Sequence, residues 1–205
     1  METINPNRME LSKQKKRLVT AKRGHKLLKD KQDALIRLFL EKVKELRDLR
    51  AEVENDLINA YASFLIAKGV MDTSVSNVIF LSSGVSIDLK SEAQNNMGVK
   101  TPVYGFEQNG NLHSYGLVGT SGELDVSLEI FSNVLGKLIK LSEIEKMVEL
   151  MSIEIEKTRR RVNALEYRLI PQTEEIIRFI KMKLDEMERG NLSRLMRVKE
   201  IISET

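Results

Sequence analysis

The sequence predicts a mainly α fold: a long two-helix antiparallel coiled coil, left-handed, with a small β-hairpin insertion between the helices. Three observations predict it. Apolar residues recur at helical spacing through 8–69 and again through 122–204. The intervening stretch, 70–121, is nearly uncharged and rich in Gly and Ser. The chain of 205 residues is 41% hydrophobic and 31% charged but only 5% aromatic, with no Trp. That balance suits amphipathic helices sharing a narrow buried seam better than an α/β core.

In the first element, 8–69, the only glycines are Gly24 and Gly69, and there is no proline. A heptad frame places Leu11, Leu18, His25, Gln32, Phe39, Leu46, Val53, Ala60 and Ala67 at one seam position. Gln14, Ala21, Leu28, Leu35, Lys42, Leu49, Asp56 and Ser63 hold the other. Gln32, Lys42 and Asp56 interrupt the seam, yet the period persists far beyond an ordinary globular helix. Such a helix would span on the order of 90 Å at 1.5 Å per residue, and its stripe needs a partner along its length.

The second element, 70–121, reads as the β-rich insertion. VSNVIFLSSGVSIDL (75–89) suggests extended chain with a turn at Ser83-Gly84. PVYGFEQNGNLHSYGLVG (102–119) suggests a hairpin turning at Asn109-Gly110, with Val103, Tyr104 and Phe106 before it and Leu112, Tyr115, Leu117 and Val118 after it. The third element, 122–204, is helical again. TSGE (120–123) offers its start in preference to the capping-box pattern SEIE (142–145). Its stripe runs through Val148, Met151, Ile155, Thr158, Val162, Leu165, Leu169, Gln172, Ile176 and Phe179, then shifts one place to Ile180, Leu184, Met187, Asn191, Leu195, Val198 and Ile202. Two long helices separated by a compact insertion pair antiparallel within one chain, and each supplies the other's missing partner.

No constellation for catalysis stands out. Without cysteine, disulfides and thiolate chemistry are excluded. His25 falls on the seam and His113 in the insertion, neither in a metal-like cluster. GLVGTSG (116–122) and GVSIDLKS (84–91) lack the spacings of dinucleotide and phosphate loops. Glu174-Glu175 and Glu186/Glu188 suit solvated helix faces. No cofactor is implied. The polar N-terminus and the shortness of the apolar runs suggest a cytoplasmic protein.

Charge is more informative. The net charge is only +3, from 33 basic and 30 acidic residues. Yet residues 8–31 carry a cluster including Arg8, Lys13, Lys16 and Arg17, opposed by Glu10 and Asp30 alone. Arg159, Arg160 and Arg161 lie between the seam residues Thr158 and Val162, so they form a band on the outer face. Both sets are candidate partner contacts. Pro171 forfeits a backbone hydrogen bond inside a continuing helix, which predicts a kink and not a stop.

NPNRMEL followed by LVTAKRGHKLLKDKQDAL, and later TRRRVNALEYRLIPQTEEIIRFIKMKLDEMER, closely resemble the two signatures of the D subunit of the archaeal and vacuolar-type rotary ATPases. The resemblance covers both helical segments. It implies a non-catalytic rotor shaft in the central stalk, with its paired termini inside a hexamer of A and B subunits. It also implies a small F subunit bound to the shaft and a funnel-like protein linking it to the membrane ring, so that membrane contact is indirect and nucleic acid is not a partner. The alternative from the residues alone is a free-standing basic coiled coil that binds nucleic acid or acts as a scaffold. The absence of aromatics among the basic residues speaks against single-strand binding.

Overall fold

Two long helical stretches pack against each other, with an antiparallel β-hairpin between them in the chain. The computed structural model describes residues 5–72, 79, 84–116 and 119–203. Helix α1 (Arg8–Val70) is followed by strands β1 (Val85–Asn96) and β2 (Val99–Gly110), then helix α2 (Gly122–Ala164), a π-helical turn (Leu165–Leu169) and helix α3 (Ile170–Ser203). Asn7 caps α1: its side-chain oxygen accepts the Met9 N–H at 3.4 Å, and its carbonyl accepts the Leu11 N–H at 3.0 Å. Ser121 caps α2 by accepting the Glu123 N–H at 3.3 Å, which places the start within TSGE; SEIE lies inside the helix.

The chain divides into two compact units, Met1–Ala34 with Ile155–Thr205, and Leu35–Glu154. In the first, the terminal unit, the start of α1 runs antiparallel to the end of α2 and to α3. Lys22 meets Glu174 at 2.7 Å and His25 Nε2 meets Glu166 at 3.3 Å, while Arg8 pairs with Glu188. The buried seam holds Gln14, Ala21, Thr158, Val162, Thr173, Ile177 and Ile180. On α1 this is the predicted frame. On the returning half of the pair it is not: beyond Leu169 the buried residues are Thr173 and Ile177, whereas Gln172 is exposed and Ile176 half-buried. The one-place shift therefore occurs at the π turn and not after Phe179, which is itself exposed. A π turn holds one residue more than an α turn, so everything downstream rotates to the next position.

The second, the hairpin unit, buries Leu35, Val53, Ala60 and Ala67 of α1 against Leu124, Val134, Ile144, Met147 and Met151 of α2. Ala67, Met71 and Leu124 form a core cluster joined by Phe64, Ile79, Tyr115 and Leu128. Tyr61 and Phe131 meet edge to face, 5.5 Å between centroids.

The hairpin differs from the predicted one. Its two strands pair from Val85↔Gly110 to Asn96↔Val99, so the turn is Met97-Gly98. Both turn residues have positive φ, 54° and 89°, as a two-residue I′ loop requires. Asn95 Oδ1 accepts the Gly98 N–H at 2.9 Å. Asn109-Gly110 instead ends β2. Gly110 leaves the sheet at φ 115°, where an added Cβ would stand 2.1 Å from the Gly84 carbonyl. The Asn-Gly signal for a positive φ is real, but it marks an exit and not a reversal. Of the stretch read as extended at 75–83, Ile79 is helical; the rest, with the proposed Ser83 turn position, Leu117 and Val118, lies outside the described residues.

β2 seats the hairpin on α2. The Tyr104 N–H donates to Glu143 at 3.0 Å, and the Ser132 hydroxyl donates to Gln108 at 3.1 Å. A Cβ at Gly136 would stand 3.2 Å from the Phe106 ring, so this mid-helix glycine makes room for the aromatic side chain.

Candidate partner-contact surface

The two units carry opposite charge. The terminal unit holds 22 basic and 13 acidic residues, for +9; the hairpin unit holds 11 and 17, for −6. The small net charge of the whole chain hides this division. In the terminal unit the cations are exposed because the seam takes the apolar and small polar side chains, leaving lysine and arginine on the outside of each helix.

The predicted contact residues are placed as follows. Arg8 pairs with Glu188 across the two helices. Lys13 has a loose contact with Glu10 at 3.9 Å. Lys16 and Arg17 are exposed on the next turn. Arg159, Arg160 and Arg161 lie on the outer face, bracketed by the buried Thr158 and Val162; Arg160 pairs with Glu156 one turn back. The two sets do not form one patch. The His25–Glu166 contact fixes the antiparallel register. Counting back from it puts the arginine band level with about Lys31, roughly 20 Å along α1 from Arg17. They are separate belts on one unit.

Pro171 stands two residues past the end of the π turn, and between them the Ile170 N–H donates to the Leu165 carbonyl. The proline ring needs space where an α-helical Tyr167 carbonyl would sit, and a wide turn there supplies it. The Thr173 hydroxyl adds a 2.6 Å bond to the Leu169 carbonyl. Tyr167, within the wide turn, is largely exposed. The sequence showed the proline; the extra residue was visible only as the slip in the apolar stripe.

Several ion pairs shape the electrostatics. Lys22 beside Glu174 holds that carboxyl below its ordinary range, first by hydrogen bonding and then by charge. In the hairpin unit, Asp56 and then Glu52 raise the Lys137 ammonium, which bonds both. Burial, then its hydrogen bond to Asp125, pushes the Tyr115 hydroxyl up to about 12.

No group of three or more His, Asp or Glu suited to a metal occurs among the described residues. His113 stands 3.7 Å from Asp125 and 3.4 Å from the Tyr115 hydroxyl, a polar cluster fastening the loop after β2 to the start of α2. A groove of about 300 Å³ beside the hairpin is apolar, with Ile87, Leu128, Phe131 and Leu135 in its lining. Its polar lining side chains, Ser132 and Gln108, bond each other, and no acid or base stands beside that hydroxyl in the lining. Among the described residues no helix is long and apolar enough to cross a membrane.

The family of ATP synthase D subunits matches residues 10–200. The chain is 52% identical over 203 residues to the V-type ATP synthase D subunit of Thermoanaerobacter sp. (strain X514), covering 97% of this chain and 96% of that protein. It is 49% identical over 208 residues to the V-type ATP synthase D subunit of Clostridium botulinum (strain Langeland / NCTC 10281 / Type F), covering 98% and 95%.

Proposed function

The chain belongs to the family of ATP synthase D subunits, and we propose that it acts as the turning shaft of its complex. It is the non-catalytic central-stalk component of a V-type ATP synthase. The finer reading is that the terminal unit enters the hexamer of A and B subunits, while the small F subunit binds along the paired helices. The hairpin unit faces the funnel-like protein above the membrane ring, and the chain stays cytoplasmic, attached to the membrane only through the complex.

The observation that carries this reading is the terminal unit itself: antiparallel helices tied by cross-helix ion pairs, with lysine and arginine on the outside of the paired stretch, while Leu192, Leu195, Met196 and Ile202 stay exposed at the end of α3. Two packed helices resist twisting. A polar exterior makes contacts that exchange as the shaft turns, where apolar anchors would lock it. Different faces then meet the three catalytic interfaces in turn, which is how one rod biases three sites toward different states. Arg159–Arg161 and the Arg8, Lys13, Lys16, Arg17 belt are contacts of this kind, and a bend at the π turn and Pro171 adds to the asymmetry.

The test is assembly. Purified chain is expected to join A, B and F subunits into one complex, and leaving it out should abolish ATP-driven ion transport while A and B retain hydrolysis. A chain that folds but never enters such a complex would overturn the reading.

A further inference from the structure

We propose that Lys15 and Lys181 together form a docking point for an acidic side chain, Asp or Glu, of the protein that surrounds the terminal unit. The inference rests on the stalk reading above and gives it a chemical partner. On one flank of the helix pair, Arg8 meets Glu188 and Lys22 meets Glu174. Residue 15 is seven places from each α1 member of these pairs, and residue 181 is seven places from each α3 member. Seven residues are nearly two full turns, so Lys15 and Lys181 lie on the same flank as the ion pairs, at the level midway between them. Both are exposed, and among the described residues neither has an ion pair or hydrogen bond. Asp185, one turn from Lys181, is not paired with it.

The flank is thus a ladder of opposite charges with one rung made of two cations. Facing like charges destabilise a helix pair, and a glutamate at 181 would complete the ladder. The chain instead keeps a lysine at both positions of this rung. A carboxylate entering between them would accept hydrogen bonds from both and neutralise the repulsion, with the wider +9 of the unit drawing it in. A protein carboxylate fits better than a nucleic-acid backbone. The rung is a single site between neutral ion pairs, whereas a polyphosphate needs cations repeated along a groove.

The experiment titrates the full chain against the isolated head of A and B subunits over a salt series. K15E/K181E should weaken binding by about tenfold or more at low salt, with the gap narrowing as salt rises. Single K181E completes the ladder, so it should leave the chain's thermal midpoint unchanged or higher while still weakening binding to the head. That separation is one a merely structural role cannot produce. K15Q/K181Q removes the charge without reversing it and should fall between. Head binding by K15E/K181E equal to that of the unaltered chain at every salt would overturn the inference alone. So would a loss confined to a duplex DNA probe run in parallel. If the unaltered chain fails to bind the head, the stalk reading itself falls and takes this inference with it.

Discussion

The terminal unit and the hairpin unit use the same helix pairing for different ends. The hairpin unit packs apolar side chains at full burial, Leu35, Ala60, Ala67 and Leu124 among them, and adds an aromatic pair and a sheet laid on α2. The terminal unit fills part of its seam with Gln14, Thr158 and Thr173 and carries its helix contacts outward as ion pairs. Buried apolar area stabilises more than exposed salt bridges do. The hairpin unit is therefore the stable anchor of the chain. The terminal unit gives up some packing, and its outside mixes lysine and arginine with exposed apolar side chains such as Leu27, Leu195 and Ile202.

The contrast can be broken most sharply at Leu124, which is fully buried in the cluster with Ala67 and Met71. Leu124→Ala should cost about 2–5 kcal/mol. Thermal unfolding should show the loss, and hydrogen exchange should quicken first within 35–154. Gly110→Ala comes next. It combines a positive φ with a Cβ against the Gly84 carbonyl, and should cost about 1–3 kcal/mol. Its effect should centre on the β1–β2 end next to Gly84, leaving the Met97-Gly98 turn in place by amide chemical shifts.

The terminal unit should respond in the other direction. Gln14 is buried; its side-chain NH2 donates to Glu10 at 2.8 Å, but its side-chain carbonyl has no hydrogen-bond partner among the described residues. Gln14→Leu should stabilise the chain by about 1 kcal/mol in denaturant unfolding. A drop in stability would mean that the amide is better satisfied than the seam indicates.

The smallest effects concern pH, and they separate the units by sign. Glu174 has a lowered pKa when folded, so its contribution is present above the ordinary carboxyl value and fades as pH falls through the folded one. Glu174→Gln should flatten the acid limb of terminal-unit stability. Tyr115 is raised from 10.0 to about 12, so its contribution is full below pH 10 and fades between 10 and 12. Tyr115→Phe should flatten the alkaline limb of the hairpin unit. Hydrogen exchange against pH, read separately for each unit, checks both; identical limbs in the variants and the unaltered chain would contradict the assignment.

Much of this was legible in the residues. The seam of α1 followed the heptad frame because apolar and small side chains recur there without proline to break it. TSGE announced the start of α2, where Ser121 supplies the cap. The outward placement of Arg159–Arg161 followed from Thr158 and Val162 on either side. The hairpin was harder. β1 contains SEAQNN and is exposed along nearly its whole length, so it lacks the alternation that burial imposes on a strand. The turn residue Met97 also gave no conventional signal. The π turn changes register without a composition of its own. The Lys15–Lys181 rung depended on a pairing between residues far apart in sequence, which only Arg8–Glu188 and Lys22–Glu174 establish.

The central claim is that this chain turns as a unit inside its complex. It has no cysteine, so a single Met97→Cys at the exposed hairpin turn gives one unambiguous attachment point. A bead tethered there, on a complex whose head is fixed to a surface, should rotate in one direction and in steps when ATP is added. A bead that stays still, or only wanders without direction, while the same fixed heads hydrolyse ATP would contradict the account.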